Sequence, residues 1–180
     1  MDLTDAQIVR RVIAGDVEAF GLLVDRYHGR CLRAACHLLG DADDAEDAVQ
    51  ESFVRAYRHL AAYRERDRFP AWILRIVVNQ CRTRAANARR FTRFDDDVAT
   101  AGDALLAENG SVEQERRAEL AHALAQLGRE QREAIVLRFG EELSFDEMSV
   151  VTGVGISALK MRVQRACARL RALLSESINA

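Results

Sequence analysis

The chain has 180 residues, which is enough for one medium-sized domain or two small ones. Hydrophobic residues make up 49% of it, so a buried core is expected and disorder throughout the chain is excluded. With a single proline and few runs of β-branched residues, the composition favours an all-α protein.

The net charge of −2 conceals a strong pattern along the chain. Residues 58–93 carry ten basic and two acidic side chains, and residues 154–174 carry five basic and no acidic ones. Between these blocks, residues 95–120 carry eight acidic and two basic side chains. Solvated helix faces are the ordinary explanation of charge runs. Two compact basic blocks separated by an acidic one instead predict two contacts with nucleic acid.

The first three predicted helices have recognisable starts and stops. Residues 4–7 form a capping box, so a helix should start there and run to about Ala14. Asp16 can cap the second helix, and Gly40 suits the left-handed position that follows its end. Residues 41–44 then supply caps and acidic charge that matches the dipole of a third helix.

The third helix is predicted to be apolar on one side and acidic on the other. Capping accounts for the acids at its first residues, but not for Asp47, Gln50 and Glu51, which lie one to two turns inside the helix. These residues and Asp44 share one side of the helix. They predict a surface for a basic partner.

An aromatic and arginine-rich turn, Tyr63–Phe69, precedes a fourth helix over about residues 69–88, and Pro70 suits its first turn. Most of this helix is apolar. A helical wheel leaves one stripe uncovered, which consists of Arg75, Asn79, Arg82, Ala86 and Arg89, with Trp72 at its edge. An amide can read a base edge, and arginines can hold phosphates or stack on bases. The alternatives are a solvated position for Asn79 and a core position for Trp72.

Residues 91–110 are acidic and have no sustained periodicity, which predicts a flexible linker. A capping box at residues 111–114 opens a helix that should end at about Gln126. A further helix over residues 129–139 is expected to turn Phe139 inward.

Residues 144–147 form a third capping box, which starts a short helix. A Gly-containing turn at residues 152–155 separates it from a long basic helix that runs to about Leu174. This is the helix-turn-helix pattern. An ordinary helical hairpin is the competing interpretation, but it would not require an acid-free second helix.

The fold prediction is therefore all-α, with two small helical domains joined by a flexible acidic linker, the second of them a helix-turn-helix domain. The predicted boundaries are residues 1–92, 93–111 and 112–180.

Four cysteines, Cys31, Cys36, Cys81 and Cys167, are scattered without a CxxC pair. They indicate buried thiols in a reducing cytosol rather than a disulfide framework. Cys31, Cys36 and His37 lie close in sequence, but Cys36 and His37 point about 100° apart on a helix, and no zinc spacing is matched. Neither a metal site nor a cofactor is predicted. A zinc or thiol redox sensor that uses Cys31, Cys36, His37 or Cys81 stays open as an alternative.

The sequence also predicts a compartment and argues against catalysis. Residues 1–14 mix Asp, Gln and Arg with apolar residues, which is not typical of a signal peptide. No apolar run approaches the roughly twenty residues that span a bilayer. No nucleophile–base pair, phosphate-cradling glycine loop or metal cluster is recognisable. A cytoplasmic, non-enzymatic protein without membrane insertion is expected.

Five segments resemble the extracytoplasmic-function (ECF) sigma factors, the minimal two-domain initiation factors of bacteria. Asp43–Tyr57 is similar to the polymerase-binding helix of their region two, and Phe69–Asn79 to the melting and recognition helix that follows. Leu127–Phe139 and Leu143–Met148 are similar to the start of region four, and Gly153–Leu170 to its recognition helix. The segments occur in the family's order. Departures, such as Glu65–Asp67 where the family often has Gly-Asp-Ser, bear on the promoter sequence and not on the class.

The resemblance assigns roles to three groups of residues. Those that would bind the coiled coil of the largest polymerase subunit are Asp44, Asp47, Gln50 and Glu51. Those that would receive a flipped base, open the strands or hold the backbone at the minus-ten element are Tyr63, Arg64, Arg66, Arg68, Trp72, Arg75, Asn79 and Arg82. Those that would face the minus-thirty-five duplex are Ser157, Lys160, Met161, Arg162, Gln164 and Arg165. The position of Arg162 is usually tied to structure or phosphate.

The resemblance thus implies a dissociable sigma factor that selects promoters for core RNA polymerase and has no catalytic activity of its own. The implied partners are the coiled coil of the largest polymerase subunit and the flap, promoter DNA, and an anti-sigma factor. The alternative is a stand-alone helix-turn-helix regulator, which would bind duplex DNA tightly without polymerase.

Overall fold

Helices account for nearly all of the regular structure. The computed structural model describes residues 3–64, 68–92 and 112–178, and within these ranges there is no β-strand. The helices are α1 (Asp5–Ile13), α2 (Phe20–Leu39), α3 (Ala42–Arg58), α4 (Phe69–Thr92), α5 (Val112–Ala125), α6 (Arg129–Ile135), α7 (Phe145–Thr152) and α8 (Ile156–Ile178). The prediction of an all-α chain with two helical domains is confirmed. The predicted linker, and Ser111 of the second predicted capping box, lie outside the described residues.

Two of the predicted capping boxes are present. At α1, the Thr4 hydroxyl accepts a hydrogen bond from the backbone N–H of Gln7, while the Gln7 side chain accepts one from the N–H of Thr4. Ser144 and Glu147 form the same reciprocal pair at the start of α7. Each pair satisfies two backbone donors that a helix N-terminus would otherwise leave without partners. Both helix starts are therefore set by local sequence.

The start of α2 differs from its prediction. Asp16 accepts a hydrogen bond from the N–H of Ala19 at 3.2 Å, and this caps a 3₁₀ turn at Val17–Ala19 rather than α2 itself. The α-helix begins at Phe20, directly after that turn. Its end is as predicted, because Gly40 adopts the left-handed conformation with φ 80°.

The helix predicted to reach residue 139 changes character after Ile135. Val136–Gly140 forms a π-helical turn, in which the N–H of Glu141 donates to the carbonyl of Val136 at 2.9 Å. A π turn holds more residues than an α turn, so it rotates the side chains that follow. The expectation that Phe139 points inward is therefore wrong: 59% of this residue is exposed.

Each group of helices has its own buried core. The first domain, α1–α4, buries apolar residues from all four helices, among them Ile8, Leu23, Val49, Phe53, Ile73 and Val77. The second domain, α5–α8, buries a cluster between α5, α6 and α8 that includes Leu124, Leu127, Ile135, Ala166 and Leu170. Removal of this apolar area from water is the main stabilising contribution to each domain.

A third cluster joins the two domains. Ala71, Leu74 and Val78 of α4 are at most 4% exposed. Their partners in this cluster come mostly from the second domain, and include Leu137, Met148 and Val151. Helix α4 is thus covered on two faces, by its own domain at Ile73 and Val77 and by the second domain elsewhere. The apolar character of this helix favours its burial, but the sequence does not show that a second domain covers Leu74 and Val78.

Polar contacts surround this interdomain interface. The guanidinium of Arg30 on α2 pairs with the carboxylate of Glu141, and its Nη2 also donates to the Glu141 carbonyl at 2.7 Å. Burial raises the pKa of Glu141, against the opposing effect of Arg30. Arg132 of α6 donates to the carbonyl of Leu38 at 3.3 Å. The second domain therefore contacts both α2 and α4.

Candidate protein and nucleic-acid interfaces

The predicted polymerase-binding residues form one surface on α3, here called the acidic face: Asp44, Asp47, Gln50 and Glu51. The side chains of its three acids are 58%, 66% and 54% exposed, respectively, and Gln50 is exposed as well. The structure therefore brings all four residues together on the outside of the first domain.

A basic residue of α4 lies beneath these acids. Arg84 Nη1 is 3.3 Å from Asp44 Oδ1 and 3.5 Å from Asp47 Oδ2. Its Nη2 is 2.7 Å from Glu51 Oε1, while the amide of Gln80 donates to the other oxygen of Glu51. Burial alone would lower the pKa of Arg84, but the hydrogen bond to Glu51 and the charges of all three acids give a net rise. Three carboxylates and one guanidinium leave the acidic face with an excess of negative charge.

Sequence reasoning missed these two residues. The charge pattern assigns the basic block of residues 58–93 to nucleic acid, whereas Arg84, within that block, pairs with the acids of α3. A usable signal was present, since Gln80 and Arg84 continue the helical stripe of Ile73 and Val77 at spacings of three and four residues. Polar side chains on a stripe that faces a neighbouring helix need partners there, and the acids of α3 provide them.

The predicted minus-ten residues separate into three groups in the structure. Arg75 and Asn79 are exposed on the outer stripe of α4, and Arg64 is exposed in the turn before it. Arg66 lies outside the described residues. The remaining four residues are engaged in contacts within the protein, in two different ways.

Trp72 and Tyr63 belong to an aromatic cluster at the start of α4. The Trp72 ring centroid is 5.3 Å from that of Tyr63 and 5.5 Å from that of Phe69, which is buried. Such spacings are typical of stabilising aromatic pairs. Trp72 is nevertheless only half-buried, so it combines the core position that the sequence left open with an accessible edge beside the stripe.

Arg82 and Arg68 contact the second domain. Arg82 forms a two-pronged pair with Glu133 of α6, with Nε–Oε2 at 2.8 Å and Nη2–Oε1 at 2.6 Å, and Nη1 approaches the carbonyl of Thr152 at 3.3 Å. This hydrogen bonding raises the pKa of Arg82. Arg68 Nη1 lies 3.0 Å from Glu147 Oε1. Both cations therefore have carboxylate partners across the interdomain interface.

The predicted helix-turn-helix is formed by α7, the turn through Gly153, and α8. Gly153 ends α7 with φ 74°, a conformation that side chains with a Cβ rarely adopt. Along α8, Leu159, Val163 and Ala166 face the core, which leaves the opposite side accessible. The exposed residues there are Ser157, Lys160, Met161, Gln164 and Arg165.

Arg162 behaves differently from the other candidates on α8. Its guanidinium lies 3.0 Å from Glu130 Oε2, and its side chain is 28% exposed. This contact ties α8 to α6. Arg162 is thus the one member of the predicted minus-thirty-five set that is half-buried. The role that the resemblance assigns to its position stays a prediction.

The cysteines contribute no recognisable ligand site. Cys31 and Cys81 are buried, and burial raises the pKa of each thiol to about 12. In the parts of the chain that the structure describes, no group of three or more His, Cys, Asp or Glu side chains is placed to hold a metal ion. Among the described helices, none combines the length and the apolar character of a membrane-spanning segment.

Known proteins match both domains in sequence. Residues 23–91 match Sigma-70 region 2, and residues 117–170 match Sigma-70, region 4. The RNA polymerase sigma-H factor of Pseudomonas aeruginosa is 32% identical over 90% of this chain and 89% of its own length. The ECF RNA polymerase sigma-E factor of Salmonella typhimurium is 33% identical over 91% of both chains. This chain belongs to the ECF sigma factors. It is a dissociable initiation factor that directs promoter-specific transcription, as the sequence predicted.

Solved structures give the same assignment for the fold. The sigma factor RpoE, in complex with the anti-sigma factor NepR from Bartonella quintana, matches with a TM-score of 0.77, 27% identity, and coverage of 87% of this chain and 96% of that one. CnrH, in complex with the cytosolic domain of CnrY, matches with a TM-score of 0.70, 29% identity, and coverage of 94% and 96%. Sigma factors as a family bind RNA polymerase and promoter DNA and are not enzymes.

Proposed function

We propose that the acidic face of this sigma factor binds the coiled coil of the largest polymerase subunit, and that the second domain also contacts the flap. The division of charge between α3 and α4 carries this proposal. Each acid of the face keeps more than half of its side chain in water, although all three lie near Arg84. Complementary charge on a basic partner would steer association and fix the register of docking.

The exposed stripe of α4 and the turn before it are proposed to open and read the minus-ten element. Asn79 supplies an amide for a base edge, and Arg75 supplies charge for the backbone. The aromatic cluster at Trp72 provides rings on which an unpaired base can stack. Flipping a base out of the duplex costs a few kcal/mol, so capture of that base must offset the cost, which couples strand opening to sequence.

The exposed side of α8 is proposed to read the minus-thirty-five duplex in the major groove. Ser157 and Gln164 can bond to base edges, while Lys160 and Arg165 can neutralise phosphates. Met161 is 47% exposed and offers an apolar contact. Binding through these cations should weaken steeply with added salt, because each neutralised phosphate releases counterions.

Promoter binding by Arg82 requires the second domain to move away from α4, whereas Arg68, whose side chain is 78% exposed, needs only to exchange Glu147 for a phosphate. Both side chains are paired with second-domain acids, Glu147 and Glu133, when the domains are in contact. We therefore assign their minus-ten role to a state in which these pairs have separated. The two similar solved sigma factors were obtained with NepR, an anti-sigma factor, and with CnrY. We accordingly propose that an anti-sigma factor binds this protein too. We also propose that the protein is cytoplasmic and has no catalytic activity.

Two variants in a transcription assay test whether α3 binds polymerase and α4 opens the promoter. Asp47→Arg with Glu51→Arg should abolish assembly with core polymerase and hence run-off transcription, because the face would repel a basic partner. Asn79→Ala should leave assembly intact and impair promoter opening, as measured by the reactivity of unpaired thymines. Asn79→Ala is an exposed single substitution and should have little effect on folding. The charge-reversal variant also removes two partners of Arg84, so circular dichroism must first show that it is folded.

The contrary results are equally specific. Normal co-elution of the charge-reversal variant with core polymerase would contradict the docking surface. Equal loss of assembly and opening in Asn79→Ala would contradict the minus-ten assignment. Tight binding of the wild-type protein alone to duplex operators, without any affinity for core polymerase, would instead support a stand-alone regulator.

A further inference from the structure

We infer that Arg84 is a positioning residue for polymerase docking, because its guanidinium holds Asp44, Asp47 and Glu51 in one preformed carboxylate surface. This inference rests on the proposed function of the acidic face. Arg84 would not itself touch polymerase. It would act through the three acids that do.

The geometry shows one cation serving three carboxylates on successive turns of α3. Asp44 and Glu51 lie seven residues apart, which is about 10 Å along a helix, and Arg84 reaches both ends with separate nitrogens at 3.3 and 2.7 Å. Asp47 lies between them at 3.5 Å. A guanidinium suits this arrangement because its donors project in fixed directions, whereas an ammonium group is a single point charge.

The Arg84 guanidinium lies below the protein surface, whereas the three carboxylates lie at the surface. The Arg84 side chain is 22% exposed, against more than half for each acid. Its Nε is buried and has no hydrogen-bond partner within the described part of the chain. A partly buried guanidinium with one unsatisfied donor is costly unless anions compensate for it, and the acidic face provides that compensation.

Of the three carboxylates, that of Glu51 has its orientation fixed most strongly. One of its oxygens faces Arg84 Nη2, and the other accepts from the amide of Gln80, which is itself buried. Both donors come from α4, so the neighbouring helix sets the direction of this carboxylate. A long acidic side chain on a helix surface would otherwise sample several rotamers, and a partner that binds it would have to restrict them.

Removal of Arg84 should therefore raise the dissociation rate without lowering the association rate. Without the cation the face is more negative, so long-range attraction to a basic partner is stronger and association is not slowed. The three carboxylates would also repel each other and lose their fixed directions, so the complex should dissociate faster. A residue that merely links α3 to α4 would lower thermal stability without this kinetic pattern.

The experiment measures binding of the full-length sigma factor to immobilised core polymerase. Arg84→Met should dissociate about tenfold faster than wild type, since the ordering of one rotamer-rich side chain corresponds to roughly that factor in affinity. Its association rate should be equal or higher. The matched control is Arg11→Met, which removes the same charge from an exposed position on α1 and should leave both rates unchanged. A dissociation rate for Arg84→Met within twofold of wild type would overturn the inference.

A second variant and a double-mutant cycle distinguish a positioning role of Arg84 from a folding defect. Arg84→Lys keeps the charge but not the fork, so it should fold and show an intermediate dissociation rate. If Arg84 acts through Glu51, then Glu51→Gln should weaken binding in the wild-type background and much less in the Arg84→Met or Arg84→Lys background. Additive effects would reject the inference. Failure of wild-type protein to bind polymerase would refute the proposed function, whereas normal wild-type binding with unaffected Arg84 variants would refute only this role.

Discussion

The pair between Arg82 and Glu133 is the contact whose loss should weaken the interdomain interface most clearly. The Glu133 side chain is 6% exposed and that of Arg82 28%, and two hydrogen bonds join them at 2.6 and 2.8 Å. Glu133→Gln keeps the shape of the side chain and one acceptor oxygen, but removes the negative charge. The half-buried guanidinium of Arg82 would then face a neutral amide.

The expected cost follows from the geometry. A hydrogen bond between charged groups contributes about 1.5–3 kcal/mol, and the variant retains one neutral bond of about 1 kcal/mol. Partial exposure of Arg82 allows water to replace some of what is lost. We therefore expect the free energy of unfolding to fall by about 2 kcal/mol, and the melting temperature by roughly 4–8 °C for a chain of this size.

Urea unfolding followed by circular dichroism measures this change, with Glu130→Gln as the matched control. Glu130 lies on the same helix and pairs with Arg162 at 3.0 Å, but its side chain is 65% exposed. Exposed pairs contribute about 0–1 kcal/mol, so this variant should stay within about 0.5 kcal/mol of wild type. Equal losses in the two variants would refute the argument that burial makes the interdomain pair strong.

Two further predictions concern protonation. Hydrogen bonds from Ser144 lower the pKa of Glu147 below 4.5, so its stabilising contribution is present above that pH and is lost as the pH falls through the lowered pKa. Glu147→Gln keeps the capping acceptor, as Gln7 does at α1, and removes only the charge, so it should lower the free energy of unfolding by about 0.5 kcal/mol at pH 7. The difference from wild type should disappear in acid, as measured by urea unfolding at several pH values; a difference independent of pH would contradict this. Burial raises the thiol pKa of Cys31 and Cys81 to about 12. At pH 8 both should therefore react with a thiol reagent roughly a hundredfold or more slowly than Cys167, as measured by mass spectrometry of labelled peptides. Equal rates for all three would show that the burial is not maintained in solution.

The parts of the fold that depend on near neighbours in sequence were predictable. The capping boxes at Thr4 and Ser144 and the left-handed Gly40 are determined within four residues, and each appears as expected. Phe139 was placed on the wrong side because nothing in the periodicity marks a π turn. An extra residue in one turn is visible only when the packing around it is known.

The surfaces that carry the candidate residues were predictable, but their contacts were not. Helical spacing places the acidic face on one side of α3, and the resemblance names the candidates on α8; the structure exposes the acidic face and all of the α8 candidates except the half-buried Arg162. The partner of Arg82 could not be foreseen, since Glu133 lies 51 residues away on another domain. Arg84 illustrates a different limit, because a run of charges does not show which way each side chain points. Arg82 and Arg84 are two residues apart on one helix, yet Arg82 pairs with the second domain and Arg84 with α3.

The apolar side chains that α4 shares with the second domain have a thermal consequence. When the domains separate, Ala71, Leu74 and Val78 become hydrated, and hydration of apolar surface increases the heat capacity. Hydrophobic attraction weakens on cooling, and the desolvation penalty of the Arg82–Glu133 pair falls on warming. Both effects favour contact between the two domains at higher temperature. A sigma factor held together in this way should release its promoter-reading helix more readily in the cold.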